Sequence, residues 1–216
     1  MSLINKYKKV VNYISTLTPT NKRFLLVIFF VLSYWLKAST TYFLEFSLGI
    51  SGFYQILLAL LNPIPFTLLL LSLPLLLRNG KLFILTLNTV NLFNTLWLFT
   101  NVVYFKEFSD FITIDTLMKM SSVSGGLGNS ALNMLSFSDL FYWMDTLFLG
   151  FYCLRKSSLF TVDYKSKKYY TLFLSSLLLL AVNLGLAEID RPELLKRSFD
   201  NKYLVKYLGL NNYLLH

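Results

Sequence analysis

Residues 46–77 read FSLGISGFYQILLALLNPIPFTLLLLSLPLLL, a run without a single charge, closed by Glu45 on one side and Arg78 on the other. One crossing of a bilayer needs about 20 apolar residues, so the run holds more than a crossing. Its first part, residues 46–52, reads as a loop, and a span follows near residues 54–77. Pro63, Pro65 and Pro74 are expected to kink that span, which is tolerated where neighbours satisfy the freed carbonyls. Arg78-Asn79-Gly80-Lys81 then makes a tight basic turn, so the next apolar run, residues 82–105, returns as the second arm of a hairpin.

Working outward from this hairpin gives three more apolar runs: residues 24–43, 137–154 and 169–187. The expected fold is therefore all-α, an integral membrane bundle of five helices. The segment before Phe24 (Lys6, Lys8, Lys9, Lys22, Arg23), the 78–81 turn, and residues 155–168 (Arg155, Lys156, Lys165, Lys167, Lys168) hold most of the bases and a single acid, Asp163. Cytoplasmic loops of membrane proteins retain Lys and Arg in this way. An odd number of spans then puts the N-terminus inside and the C-terminus outside. Residues 1–23 interleave bases with Leu3, Ile4, Val10, Val11 and Ile14, as a cytoplasmic amphipathic leader lying in the interface would. The first span lacks a small-x-small cleavage site, which favours an anchor over a removed signal peptide.

Composition agrees. Hydrophobic residues make up 55% and charged residues 14%, against roughly 25% charged in soluble domains. The net charge of +9 does not point to nucleic acid, because the bases lie at the ends of apolar runs and form no stripe on a soluble domain. Facing anionic headgroups suits them better. Cys153 is the only cysteine and His216 the only histidine, so no internal disulfide, thiolate metal cage or histidine-based chemistry is expected.

Polar residues inside the spans are the candidate functional groups. Asn88, Asn91, Asn94 and Asn101 fall within about 140° of one another around the third helix. They either hydrogen-bond neighbouring helices or form a polar groove for a headgroup. Asp145, in the fourth run, is expected to pair with Lys37 or to cap a polar network, since an acid at membrane depth needs protein or water. At the outer rim, Arg191, Lys37, Lys106, Lys196 and Arg197 are candidates for phosphate. Arg191 comes first because guanidinium binds phosphate in a bidentate fork. Asp110 and Asp190 would take hydroxyls or orient the bases. The plainer reading is that these bases snorkel and anchor helix ends.

No zinc helix, nucleophile elbow, dinucleotide fingerprint or phosphate loop appears. Ser121-Ser122-Val123-Ser124-Gly125-Gly126-Leu127-Gly128 lacks the following Gly-Lys-Ser/Thr and reads as an outer loop. Glu107, Asp110 and Asp115 have no imidazole or thiol beside them and read as a solvated loop. After Ala187 the chain turns polar: Glu188-Ile189-Asp190-Arg191-Pro192-Glu193-Leu194-Leu195-Lys196-Arg197-Ser198-Phe199-Asp200-Asn201-Lys202-Tyr203-Leu204-Val205-Lys206-Tyr207-Leu208-Gly209. Its apolar residues recur at helical spacing among bases, so residues 188–216 are expected to form an amphipathic juxtamembrane segment on the outer leaflet.

That tail resembles the membrane-exit segment of lipoteichoic acid synthases, the polyglycerolphosphate polymerases of Gram-positive bacteria. Phe46-Ser47-Leu48-Gly49, Leu61-Asn62-Pro63, and Asn101-Val102-Val103-Tyr104-Phe105 running into Phe108-Ser109-Asp110-Phe111 fit the same family in the same order. The resemblance covers about residues 20–213. It implies a multi-pass protein of the bacterial plasma membrane, with five N-terminal spans and a large extracellular domain of the sulfatase type. That domain carries a threonine nucleophile and a divalent metal, usually manganese. It moves glycerolphosphate from phosphatidylglycerol to a growing lipid-anchored chain. The nucleophile and metal ligands have no counterpart before His216, so this chain is expected to carry no cofactor and to be inactive alone. The expected role is a membrane domain that anchors and positions the transferase, whether as a separate piece, a fragment left by linker cleavage, or a truncated relative. The alternative is a stand-alone scaffold or lipid- and polymer-handling protein. The implied partners are the phospholipid membrane, phosphatidylglycerol or a glycolipid anchor, the extracellular catalytic domain, and cell-wall synthesis or division proteins.

Overall fold

The computed structural model describes residues 16–113, 116, 139–163, 167–194, 196 and 199–213, with the side chains of 148–153 excepted. The leader up to residue 15 and the glycine-rich stretch lie outside the described residues. Among the described residues the fold is all-helical, without a strand. The order is α1 (Pro19–Leu44), α2 (Phe53–Leu61), α3 (Pro63–Ser72), a 3-10 turn (Leu73–Leu76), α4 (Gly80–Phe108), α5 (Leu140–Arg155), a second 3-10 turn (Ser157–Phe160), α6 (Lys168–Asp190) and α7 (Asn201–Tyr213).

Local chemistry sets these boundaries. Thr18 caps α1 by accepting from the Asn21 amide, with Pro19 at the first helical position, where a missing N–H is harmless. The long uncharged run breaks at Asn62-Pro63 and tightens around Pro74, as its prolines require. Asn79 caps α4 by accepting from the Lys81 and Leu82 amides at 2.8 and 3.2 Å. Ser109 closes α4 in the left-handed conformation (φ 53°).

Among the described residues, four helical stretches are long and apolar enough to cross a membrane: Pro19–Leu44, Phe53–Leu76, Gly80–Phe108 and Lys168–Asp190. This corrects the five expected from sequence. Within the apolar run at 137–154 the described helix α5 has 16 residues, about 24 Å at 1.5 Å per residue against a hydrocarbon core of about 30 Å. It packs alongside α4 and α1. Large apolar side chains on the outside of the bundle, such as Phe29, Leu32, Phe93, Leu174 and Leu178, stay exposed, as a lipid-facing surface requires.

The basic segments meet at one end. Arg23 is fully buried, and its guanidinium donates to the carbonyls of Phe160, Leu77 and Arg78 while stacking on the Phe83 ring. Val162 donates its amide to Arg78, and Lys168 donates to the Asn21 side chain at 2.5 Å. Gly80 lets the chains close up here, since a Cβ would meet the Ser157 carbonyl oxygen at 2.1 Å.

At the opposite end the apolar face of the tail meets protein. α7 packs into the bundle, with Leu204, Val205 and residues 207–213 buried. Tyr42 accepts from the Leu210 amide at 2.8 Å, Gln55 donates to the Tyr207 hydroxyl at 3.1 Å, and Asn211 is a hydrogen-bond partner of Tyr34. Gly209 makes the insertion possible. Its φ of 76° breaks the helix, and a Cβ would come within 2.5 Å of the Asn62 Cβ.

Candidate functional site

Three places in the bundle hold the polar groups singled out by the sequence. The first is a buried network inside the apolar layer. Lys37 and Asp145 form an ion pair at 2.9 Å, with side-chain exposures of 3% and 8%. The Lys37 ammonium also donates to the Thr95 hydroxyl at 2.9 Å and to the Tyr142 carbonyl at 3.1 Å. Asp145 accepts from the Ser33 hydroxyl at 2.7 Å, the Asn91 amide at 3.3 Å and its neighbour Thr146. Asn91 donates as well to Thr146 at 2.9 Å. A charge in hydrocarbon is tolerated only with such partners, and the network locks α1, α4 and α5 together. Lys37 is thus a buried structural partner, away from the rim.

The other asparagines divide. Asn101 ends the network role expected of it by donating to the Trp97 carbonyl and accepting from the Ile112 amide at 3.1 Å, which folds the chain after α4 back onto the helix. Among the described residues the buried Asn94 amide nitrogen has no partner, and Asn88 is half-buried with an unpartnered oxygen. The structure therefore brings Asn91 to Asp145 but leaves Asn88, Asn94 and Asn101 outside that cluster. A second pair escaped the sequence reading: Asn183 donates to Asn62 at 2.8 Å, both fully buried. The polar residue inside the α6 apolar run was the available signal.

The second place is the rim at the α7 end. Lys106 pairs with Glu45 at 3.1 Å, both about one-third exposed. Arg191 is exposed, sits just past α6, and stacks over Phe199 and Tyr203 at 5.6 and 5.4 Å, carrying no ion pair among the described residues. Asp190 hydrogen-bonds Tyr207, whose hydroxyl burial, together with Tyr203 and Asp190, pushes upward in pKa. Lys206 donates to the Gly49 carbonyl at 2.8 Å, and burial lowers its pKa against the pull of Asp190. Lys196 is exposed, and Arg197 lies outside the described residues. A groove of about 240 Å³ between α1 and α5, lined by Thr41, Glu45, Asp139 and Tyr142 among others, opens on the same rim.

The third is the elbow after α4. Asp110 accepts from the Phe111 amide at 2.8 Å and from the Asn201 side chain at 3.1 Å, tying α4 to the start of α7. Among the described residues no group of three or more His, Cys, Asp or Glu comes together, so no residue here is assigned to a metal.

Comparison with known proteins fits this architecture. The Lipoteichoic acid synthase N-terminal domain family matches residues 4–216. Lipoteichoic acid synthase 2 of Bacillus subtilis (strain 168) is 38% identical over 183 residues, covering 84% of this chain and 28% of that protein. Lipoteichoic acid synthase of Staphylococcus aureus (strain USA300) is 38% identical over 187 residues, covering 86% and 29%. The strain NCTC 8325 / PS 47 protein matches to the same extent. The chain thus spans less than a third of the length of these curated relatives. No solved structure matches it significantly.

Proposed function

This chain belongs to the lipoteichoic acid synthase N-terminal domain family, and from that premise we propose that it anchors and positions an extracellular glycerolphosphate transferase at the outer leaflet of the bacterial plasma membrane. The match along essentially the whole chain carries the reading. Both the donor, phosphatidylglycerol, and the growing polymer would be held in that leaflet. A tether confines a catalytic domain to the headgroup layer and raises its effective concentration there without new contacts.

The geometry supports a particular orientation. Arg23, Arg78, Lys81 and Lys168 gather at one end, which the positive-inside tendency places in the cytoplasm. The end holding Glu45, Asp110, Asp190 and α7 then faces outward. Because α7 is packed into the bundle, a domain carried beyond it would be held at a fixed height above the rim. Arg191, exposed and without an ion-pair partner among the described residues, is the best-placed rim base for a lipid phosphate, with Lys196 beside it in sequence. The burial of Lys37 in the Asp145 pair argues against that role for it.

The test is a chimera in which this chain replaces the membrane domain of the Staphylococcus aureus relative. We expect polymer output to be restored, and we expect the chain alone to release no diacylglycerol from labelled phosphatidylglycerol. Release by the chain alone, or a chimera that inserts but makes no polymer, would contradict the reading.

A further inference from the structure

A bend joins α7 to the rest of the bundle. Between Asp190, where α6 ends, and Asn201, where α7 begins, the described residues form no helix. Arg191 is extended (φ −136°, ψ 90°) and Glu193 stands in the left-handed region (φ 64°). Beyond the bend α7 docks mainly against α2, far away in the chain, and less against α6, the helix that precedes it. Its composition is mixed. Leu204, Val205, Leu208 and Leu210 share the helix with Asn201, Lys202, Lys206, Asn211 and Asn212, so water suits much of it as well as protein does.

Opposing contributions meet at the seam beneath α7. Burial of the four apolar side chains favours docking, as does the bond from the Leu210 amide to the Tyr42 hydroxyl. Against docking stand buried polar atoms that find no hydrogen-bond partner among the described residues. On α7 these are the Asn212 side-chain oxygen and the Tyr213 hydroxyl; facing Gly209 it is the Asn62 side-chain nitrogen. Tyr213 is 6% exposed, Asn212 5% and Asn62 1%. Each such atom has given up its water without replacement, which costs free energy. Lifting α7 away would return water to all three.

We propose that α7 is a releasable strap, which swings on the bend at Arg191–Glu193 between its docked position and one in which it leaves the bundle as a unit. Local opening of this kind belongs to segments with mixed burial and an irregular connection to their neighbours. What the strap controls rests on the anchoring role proposed above. A domain carried beyond residue 213 sits at the rim while the strap is docked. Once it lifts, residues 191–213 become part of the tether and extend its reach by up to about 75 Å, at about 3.3 Å per residue. A longer tether lowers the effective concentration at the headgroup layer. The strap thus gives the anchor a near setting and a far one.

The test is hydrogen exchange of the full chain in detergent, with α4 as the internal reference. The amides of residues 204–210 are expected to open together, at one rate, while α4 stays protected. Tyr213→Phe removes the unpaired hydroxyl and no hydrogen bond among the described residues, so it should slow exchange across α7 about tenfold. Tyr42→Phe strands the Leu210 amide and should speed it by about the same factor. A helix that is a permanent part of the bundle gains nothing from Tyr213→Phe. Exchange of α7 only together with α4, protection that fades gradually from residue 213 inward, or α7 exchange unchanged or faster in Tyr213→Phe would each overturn the proposal. The readout is strap opening and the chimera's readout is polymer output, so either reading can fail while the other stands.

Discussion

At the end of the bundle where α1 begins, Arg23 is sealed from solvent and each arm of its guanidinium is bonded to a turn carbonyl. At the end where α7 docks, Lys106, Arg191 and Lys202 stay partly or fully exposed, engaged by one carboxylate or by aromatic faces. The same residue types thus do two jobs. Where every donor has an internal acceptor, the charge closes the structure. Where the bases stay at least partly exposed, as at Arg191 and Lys202, engaged by aromatic faces, the charge remains open to solvent. It is at the second end that the proposed lipid contacts would be made.

Breaking the closed end should have the largest effect. Arg23→Ala strands the carbonyls of Leu77, Arg78 and Phe160 and should destabilise the bundle by about 3 to 5 kcal/mol, read as loss of the thermal transition in detergent. Arg23→Lys should rescue little, because a compact ammonium cannot fork to three acceptors. Next is the buried pair. Asp145→Leu leaves Lys37 charged and unpaired, a cost of about 3 kcal/mol or more. Adding Lys37→Met should recover most of it, so thermal stability of the single and double variants checks whether the pair is structural. Gly209→Ala forces a Cβ onto Asn62 at a φ of 76° and should cost about 1 to 3 kcal/mol. Its readout is local: faster hydrogen exchange in α7 with α4 unchanged.

The open end should respond in function more than in stability. Lys106→Ala removes a half-exposed pair and should shift stability by no more than about 1 kcal/mol. Arg191→Ala, placed at the corresponding position of a full-length relative, should lower polymer output while membrane insertion and melting stay unchanged. Unchanged output would remove Arg191 from the lipid-contacting rim.

Much of the fold was legible in sequence because the bilayer restricts the choices. Uncharged runs with basic turns become helices, and the caps at Thr18 and Asn79 and the break at Asn62-Pro63 follow from residue chemistry. The Lys37–Asp145 pairing was also legible, since two opposite charges in hydrocarbon must find partners. Tertiary packing hid the rest. The docking of α7 depends on Gly209 meeting Asn62 from far away in the chain, and no periodicity encodes that contact. Read alone, Leu204, Val205 and Leu208 form an apolar face that suits lipid as well as protein. Arg23 looked like one more leader base because its acceptors are carbonyls, which carry no sequence signal.

The orientation of the two ends is the claim on which the functional account depends most, and labelling tests it directly. In a Cys153→Ala background, single cysteines at Arg78 and at Lys202 would be exposed to a membrane-impermeant maleimide in intact cells. The account predicts labelling at position 202 and none at 78 until the membrane is opened. Labelling at 78 with protection at 202 would place the α7 rim and Arg191 in the cytosol and contradict the proposed function.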